Sequence, residues 1–316
     1  MSVSITSTYA GEFSGKYIAA ALLSASTLDR GGITIMPNVK YKSVLKKAAT
    51  DGIVKDATCD FQTGDGTLTL TEAILQPEEF QVNLDICKKD LHSDWMAAEM
   101  GFSAFDELPK SFADFVIAHV ASKVADSTET NIWEGDTANN GQFDGFVKKL
   151  KADATVSDIT GTAVTSSNVI AELGKVVDAL PSAVYSMPNV HLYVSSNIAR
   201  AYIRALGGFG SSGLGAAGIG NQGTMFYGEN DRQNGGGLSF EGIPLFVSSG
   251  FGDNTAIATY KENLVFGTGL LDDRNVVKVI DMADLDGSQN VRVVMRFTAG
   301  VQHIWGSDIV LYEEGV

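Results

Sequence analysis

Cysteine, histidine, proline and basic charge are all scarce in this chain, and each scarcity removes a class of function. Of 316 residues, 2 are cysteine, 4 histidine and 6 proline. Cys59 and Cys87 match no zinc or redox spacing; they are expected as reduced thiols, although both fall in one hairpin and could face each other across its strands. His92, His119, His191 and His303 stand at no metal-ligand spacing, and H-E-x-x-H is absent. Lysine and arginine number 23 against 38 acidic residues, a net charge of −15. Proteins that grip phosphates carry a basic stripe, because affinity comes from releasing counterions; the long-range field here repels nucleic acid. Lys40 to Lys47 and Lys148 to Lys151 are local exceptions, read as solvated surface runs. No apolar run approaches the roughly 20 residues that span a bilayer. Tyr17 to Leu23 is short and lacks a basic leader, so neither a signal peptide nor a membrane partner is expected.

Glycine is plentiful at 34, and 44% of residues are hydrophobic, enough for one large core or two modest ones. Residues 1–32 read as a small, polar arm. Ile33 to Met36 starts an alternating strand, and Val39 to Gly66 is long and polar, unable to bury a face by itself. Thr67 to Thr71 and Phe80 to Ile86 alternate strictly, with Gln76 to Glu79 as the turn between them; period two with one apolar side means strands half-buried against something. A projecting ribbon of this kind is marginal alone in water, which implies that a neighbouring molecule holds it. From Ser111 to Trp133 the apolar positions Phe112, Phe115, Val116, Val120, Val124 and Ile132 fall three and four apart, predicting one long helix, with His119 packed on its apolar face. Asn168 is placed to cap a helix through Leu180, Val190 to Val194 reads as a strand, and Ser195 or Ser196 opens another helix. After the glycine-dense 207–223 the chain turns to strands: Leu238 to Phe240, Ile243 to Val247, Ala256 to Tyr260, Leu264 to Phe266, Val276 to Ile280, Val291 to Thr298 and Val301 to Tyr312. His191 and His303 fall in strands, as polar-face or interface residues.

The motifs that imitate chemistry lack its context. Gly208 to Gly213 and Gly213 to Gly218 both fit G-x-G-x-x-G, but a dinucleotide site needs a strand before and a helix after; here a helix precedes and more glycine follows. Asp284 to Gly287 imitates part of a calcium loop without its remaining ligands, and reads as a strand-connecting turn. The pairs Glu78/Glu79 and Asp272/Asp273 read as solvated charge. No P-loop and no G-x-S-x-G is present. Catalytic, cofactor-binding and metal-binding residues are therefore all expected to be none.

The order of these parts resembles the major capsid proteins of tailed bacteriophages. The ribbon from about Ile33 to Leu91 resembles that family's extended loop. Phe112 to Asp136, closing on Asn131 to Asp136 and followed by Phe143 to Phe146, resembles the spine helix and its junction. Val190 to Leu206 resembles a peripheral-domain strand and helix, and Leu238 to Val247, with Gly242 and Pro244, the strand after the axial-domain loop. Asn263 to Thr268 and Arg296 to Gly300 fit the returning strands.

The resemblance implies an α+β, Hong Kong phage-like capsid fold. It divides the chain into an N-terminal arm (1–32), an extended loop (33–91), a peripheral domain (92–206) with a spine helix at about 111–133, an axial domain (207–280) with a glycine-rich loop, and return strands (281–316). It further implies a structural rather than enzymatic role: self-assembly into hexamers and pentamers, portal, scaffolding or decoration proteins as partners, and DNA held by enclosure. The location would be the virion capsid, assembled in the host bacterial cytoplasm. No large scaffolding segment precedes the arm, so any scaffold would be separate, and no loop lysine matches a crosslinking lysine by motif. The alternatives are an encapsulin-like shell around protein cargo, a glycine-loop α/β enzyme using a nucleotide, and a tail or decoration protein.

Overall fold

The computed structural model describes residues 26–39, 41–52, 54, 56–57, 59, 66–87, 110–206, 238–269 and 278–315. In chain order, a helical turn (Ser26–Asp29) leads into β1 (Thr34–Met36), β2 (Ser43–Asp51), β3 (Thr67–Leu75) and β4 (Glu78–Cys87). The long helix Lys110–Glu134 follows, then the short helix Phe146–Ala152, β5 (Ser157–Gly161), the helix Val169–Asp178, β6 (Val190–Ser195) and the helix Ser196–Leu206. The rest is strand-rich: β7 (Ser239–Phe240), β8 (Ile243–Ser248), β9 (Ala256–Tyr260), β10 (Leu264–Gly267), β11 (Lys278–Asp281), β12 (Asn290–His303) and β13 (Val310–Glu314).

The six-stranded sheet has the order β5-β13-β9-β6-β8-β7. Its strands are apolar on both sides because both sides are covered. Alternate residues of a strand face opposite ways, so Leu192, Val194, Ala256, Ala258 and Val310 meet Leu173, Val176, Ile198 and Tyr202 of the two helices beside it. Their neighbours Tyr193, Phe246, Ile257 and Leu311 face the other way, onto Trp133, Phe146 and Leu150. Burying each such side chain stabilises the fold by about 1.5–3 kcal/mol, and the helix Ser196–Leu206 forms because Ile198, Ala201 and Tyr202 keep helical spacing on that covered face.

The second sheet, of five strands, is organised on β12. That strand pairs antiparallel with β10 and β11, β10 pairs parallel with β1, and β4 lies antiparallel to β12 from Asn290↔Cys87 to Ala299↔Glu78. Val82, Leu84 and Ile86 of β4 pack with Val293 and Met295 against Val120 and Val124 of the long helix. Phe80 closes the row, with Phe297 at 5.5 Å and Phe143 at 6.0 Å between ring centroids.

Two expectations are corrected. The second alternating segment is not part of the ribbon: β4 is seated in the body by β12, a partner about 200 residues away in sequence. The lysine-bearing stretch within Val39 to Gly66 is itself a strand, β2, whose alternate Val44 and Ala48 find Ile74 and Leu70 across the register. Within the ribbon read from 33–91, the described residues of β2 and β3 form a two-stranded hairpin. No break separates Val291 to Thr298 from Val301: β12 runs through Gly300, where an added Cβ would come 2.9 Å from Pro77 Cα. The glycine marks a close backbone approach by the turn between β3 and β4, not a turn of its own. The chain breaks instead after His303, where the buried Asn263 side-chain oxygen accepts from the N–H groups of Ile304 (3.2 Å) and Trp305 (2.7 Å).

Candidate functional site

The β2–β3 hairpin has two unlike faces. Ser43, Leu45, Lys47 and Ala49 share one with Leu75, Ala73, Thr71 and Thr69; Val44, Lys46, Ala48 and Thr50 share the other with Ile74, Glu72, Leu70 and Leu68. The first face is anchored at its foot. Leu75 is fully buried with Val39 and Val265, and Leu45 packs against them. Gly267 leaves the room: an added Cβ would lie 2.7 Å from Leu75 Cδ2. Lys47 reaches over the Trp305 ring, 5.6 Å from its centroid. The second face is apolar and bare, with Val44 46%, Leu68 63%, Leu70 72% and Ile74 47% exposed. With nine residues per strand at about 3.4 Å each, the hairpin reaches about 30 Å.

The body beneath it is locked at the C-terminal end of the long helix. The Trp133 ring stacks on Phe251 at 4.2 Å and lies 5.5 Å from Phe146 and 5.4 Å from Tyr193. One turn earlier, the buried Glu129 accepts from Thr27 N–H (3.0 Å), Thr27 O–H (2.5 Å) and Ser248 O–H (2.6 Å), while the Trp133 indole N–H donates to Thr27 Oγ1 (3.0 Å). A buried carboxyl with three donors ties three distant segments together, since losing any partner strands a desolvated polar atom. Gly250 passes so close to this turn that an added Cβ would lie 2.2 Å from the Glu129 carbonyl oxygen. Sequence reading missed Thr27, Glu129 and Ser248. The signal for Glu129 was its position four residues before Trp133, on the same helical face.

The residues singled out from sequence do not converge. His92, Lys40, Asp272, Asp273 and both glycine motifs lie outside the described residues. His119, expected to be packed, is exposed; it borders an apolar groove of about 370 Å³ between the long helix and β4, where Lys123, Phe80 and Val82 also line the wall. His191 is half-buried, its Nδ1 3.0 Å from the Asn189 carbonyl. His303, expected as a polar-face or interface residue, is buried within the chain, because the helix Phe146–Ala152 ends on it and brings Asp153 Oδ2 to 2.9 Å from its Nε2. Asp284 belongs to the helical turn Ala283–Asp286 between β11 and β12, and Gly287 caps its C-terminal end at φ 73°. Cys59 and Cys87 are both unpaired, and Cys87 sits opposite Asn290 rather than Cys59. Glu78 and Glu79 open β4.

The lysines of the short helix divide. Lys148 stays exposed between Asp136 (2.6 Å) and Asp144 (2.5 Å), whose hydrogen bonds hold its ammonium above the usual range. Lys149 is half-buried, donating to Val301 O (2.6 Å) and Gln302 Oε1 (3.1 Å), and burial pushes its ammonium down. Among the described residues no three metal-ligating side chains cluster, and no helix is long and apolar enough to cross a membrane.

By sequence, no family model and no curated protein matches the chain. Solved structures do. A capsid subunit of a native GTA particle superposes with a TM-score of 0.64, covering 100% of this chain and 96% of that one at 14% identity. The chain has the Hong Kong phage-like capsid fold. A Gordonia phage Cozz structure matches at TM-score 0.60 over 92% of this chain and 87% of that one, and the capsid of Myoviridae phage XM1 at 0.58 over 93% of each, both at 12% identity.

Proposed function

We propose that this chain is the major capsid protein of a tailed bacteriophage. Copies assemble into hexamers and pentamers of an icosahedral shell that encloses double-stranded DNA. The observation that carries this reading is the bare apolar face of the β2–β3 hairpin, on a chain that shares the capsid fold from end to end. Four large apolar side chains along one side of a 30 Å ribbon are costly to leave in water, and a second copy covers them when each hairpin lies over its neighbour. A contact of one surface with a different surface of the next copy closes into rings, and its repetition makes an obligate interface.

The role is structural, and no catalysis is proposed. Hairpin, body and spine correspond to the extended loop, peripheral domain and spine helix, with 207–280 as the axial domain and 1–32 as the arm. Portal, scaffolding and decoration proteins are the further partners, and the location is the virion capsid, assembled in the host bacterial cytoplasm. DNA is held by enclosure: at −15 per subunit the wall repels the polyanion and lets it slide. Negative-stain microscopy and sedimentation of the expressed protein test this directly. Capsomers or closed shells are expected, and a monomer at micromolar concentration counts against the reading. Deleting 39–66 is expected to leave a folded body that closes no shells; normal closure by that variant overturns the part given to the hairpin.

A further inference from the structure

The loop between the long helix and the helix Phe146–Ala152 is clamped at its base and open at its tip. The Gly145 N–H donates to Gly135 O (2.9 Å), and an added Cβ on Gly145 would lie 2.6 Å from Trp133 O, so the two ends are pinned against the helix terminus. Above the base the main-chain N–H groups are taken one after another: Asp136 by Gln142 Oε1 (3.2 Å), Thr137 by Asp144 Oδ1 (3.0 Å), Ala138 by Asp136 Oδ1 (2.8 Å) and Asn139 by Asp136 O (2.9 Å). The Asn139 side chain is held too, donating to Gln142 Oε1 (3.3 Å). The series stops at Asn140 and Gly141. Both are exposed, and Gly141 stands at φ 81° with nothing within 4 Å of an added Cβ. Among the described residues, neither the Asn140 side-chain amide nor the Gly141 N–H meets a hydrogen-bond partner.

An asparagine side-chain carbonyl carbon can be reached by the main-chain nitrogen of the next residue, and a glycine there has no Cβ to block the approach. We propose that Asn140 is a self-modification site on the tip of this loop. The Gly141 nitrogen bonds to Asn140 Cγ and gives up its proton. The bond from Cγ to the side-chain nitrogen breaks, and that nitrogen leaves as ammonia. The five-membered succinimide then takes up one water at either carbonyl, giving aspartate or, with the main chain rerouted through the side chain, isoaspartate. Water is the one co-reactant. Two similar junctions are protected: the Gly145 nitrogen is engaged by Gly135 O, the Gly287 nitrogen by Ala283 O (3.1 Å), and Asp286 Oδ1 is held by the Ser288 N–H (2.9 Å). Each hydrogen bond that must first break slows such an attack by about two- to tenfold. The product adds a carboxylate to a loop that already sets Asp136 and Asp144 against Lys148, at 2.6 and 2.5 Å. The Gly135–Gly145 clamp confines the change to the tip, so the chain gains a negative charge without unfolding. The site lies within one chain and does not depend on assembly.

The test incubates the full chain at pH 8 and 37 °C, at a concentration too low for assembly, and follows it by peptide-mapping mass spectrometry and by enzymatic methylation of isoaspartate. Mapping separates Asn140 from Asn234, the other asparagine that precedes glycine. Among the described asparagines, conversion is expected at Asn140 alone, with isoaspartate as a product, and faster at pH 8 than at pH 7. Asn140→Gln is expected to abolish the signal in that peptide. The decisive comparison is with a free peptide of residues 136–144, which has no fold to protect it. A rate in the folded chain within about threefold of the peptide's is expected, since no hydrogen bond has to break first. A folded-chain rate more than about tenfold below the peptide's overturns the proposal, as does a signal that survives in Asn140→Gln. Converted chains, separated by ion exchange, are expected to keep the parent's circular dichroism and cooperative thermal unfolding; loss of either overturns the confinement of the change to the loop tip.

Discussion

β3 and β4 are neighbours in sequence with the same alternating pattern, separated by Gln76 and Pro77, and their fates are opposite. Along β4, Phe80, Val82, Leu84 and Ile86 turn onto β12 and the long helix of their own chain. Along β3, Leu68, Leu70 and Ile74 face solvent. Period two states that a strand has an apolar face and nothing about what covers it. β4 finds its cover because β12 is long enough to lie beside all ten of its residues. β3 crosses the turn away from the body and finds only β2, whose own alternate residues are Val44, Lys46, Ala48 and Thr50. One strand completes a fold, and its neighbour leaves its apolar face to solvent.

Single substitutions break or sharpen that contrast. Leu75→Ala at the foot of β3 should cost about 2–5 kcal/mol of unfolding free energy, since it opens a cavity at a fully buried site; urea unfolding reads it, and a cost near zero would mean that the foot is not anchored. Gly300→Ala, which sets a Cβ against the backbone at Pro77, should cost about 1–3 kcal/mol by forcing β12 and the β3–β4 turn apart, measurable as a lower Tm. Acid should act next. Burial pushes the Asp153 carboxyl up, but hydrogen bonds from His303 and Thr155 outweigh it and hold it at about 2. The stability it contributes is present above about pH 3.8 and lost as pH falls toward 2, and Asp153→Asn should remove that step from a series of unfolding curves. The smallest effect on the subunit belongs to Leu70→Ser, expected within about 0.5 kcal/mol of the parent because the site is 72% exposed. The same change should depress shell formation, scored by light scattering. Equal loss of stability from Leu70→Ser and Leu75→Ala would erase the distinction between the two ends of β3.

Much of the architecture was legible in the residues. The helical spacing of Val120, Val124 and Ile132, the apolar runs Val190 to Val194 and Ala256 to Tyr260, and the turn glycine Gly242 (φ 84°) beside Glu241 (φ 49°) between β7 and β8 all carry local signals. β2 was not legible, because its lysines and alanines acquire a strand's pattern only opposite β3. Gly300 misled for the reverse reason: glycine inside an apolar run reads as a break, whereas a crossing backbone requires it. His303 misled because polarity was read as exposure, and Glu129 was missed; each is buried by partners more than 100 residues away.

The sequence by itself determined the periods: which residues share a face, where a long helix runs, and that no metal or nucleotide motif has its proper flanks. These follow from backbone geometry over a few residues. Only the tertiary structure decided which apolar face the chain covers for itself and which it leaves bare, that Glu129 joins Thr27 to Ser248, and that His303 rests on Asp153 under the hairpin. Those outcomes depend on pairings across 100 to 220 residues, where local pattern is silent and the register of β12 decides.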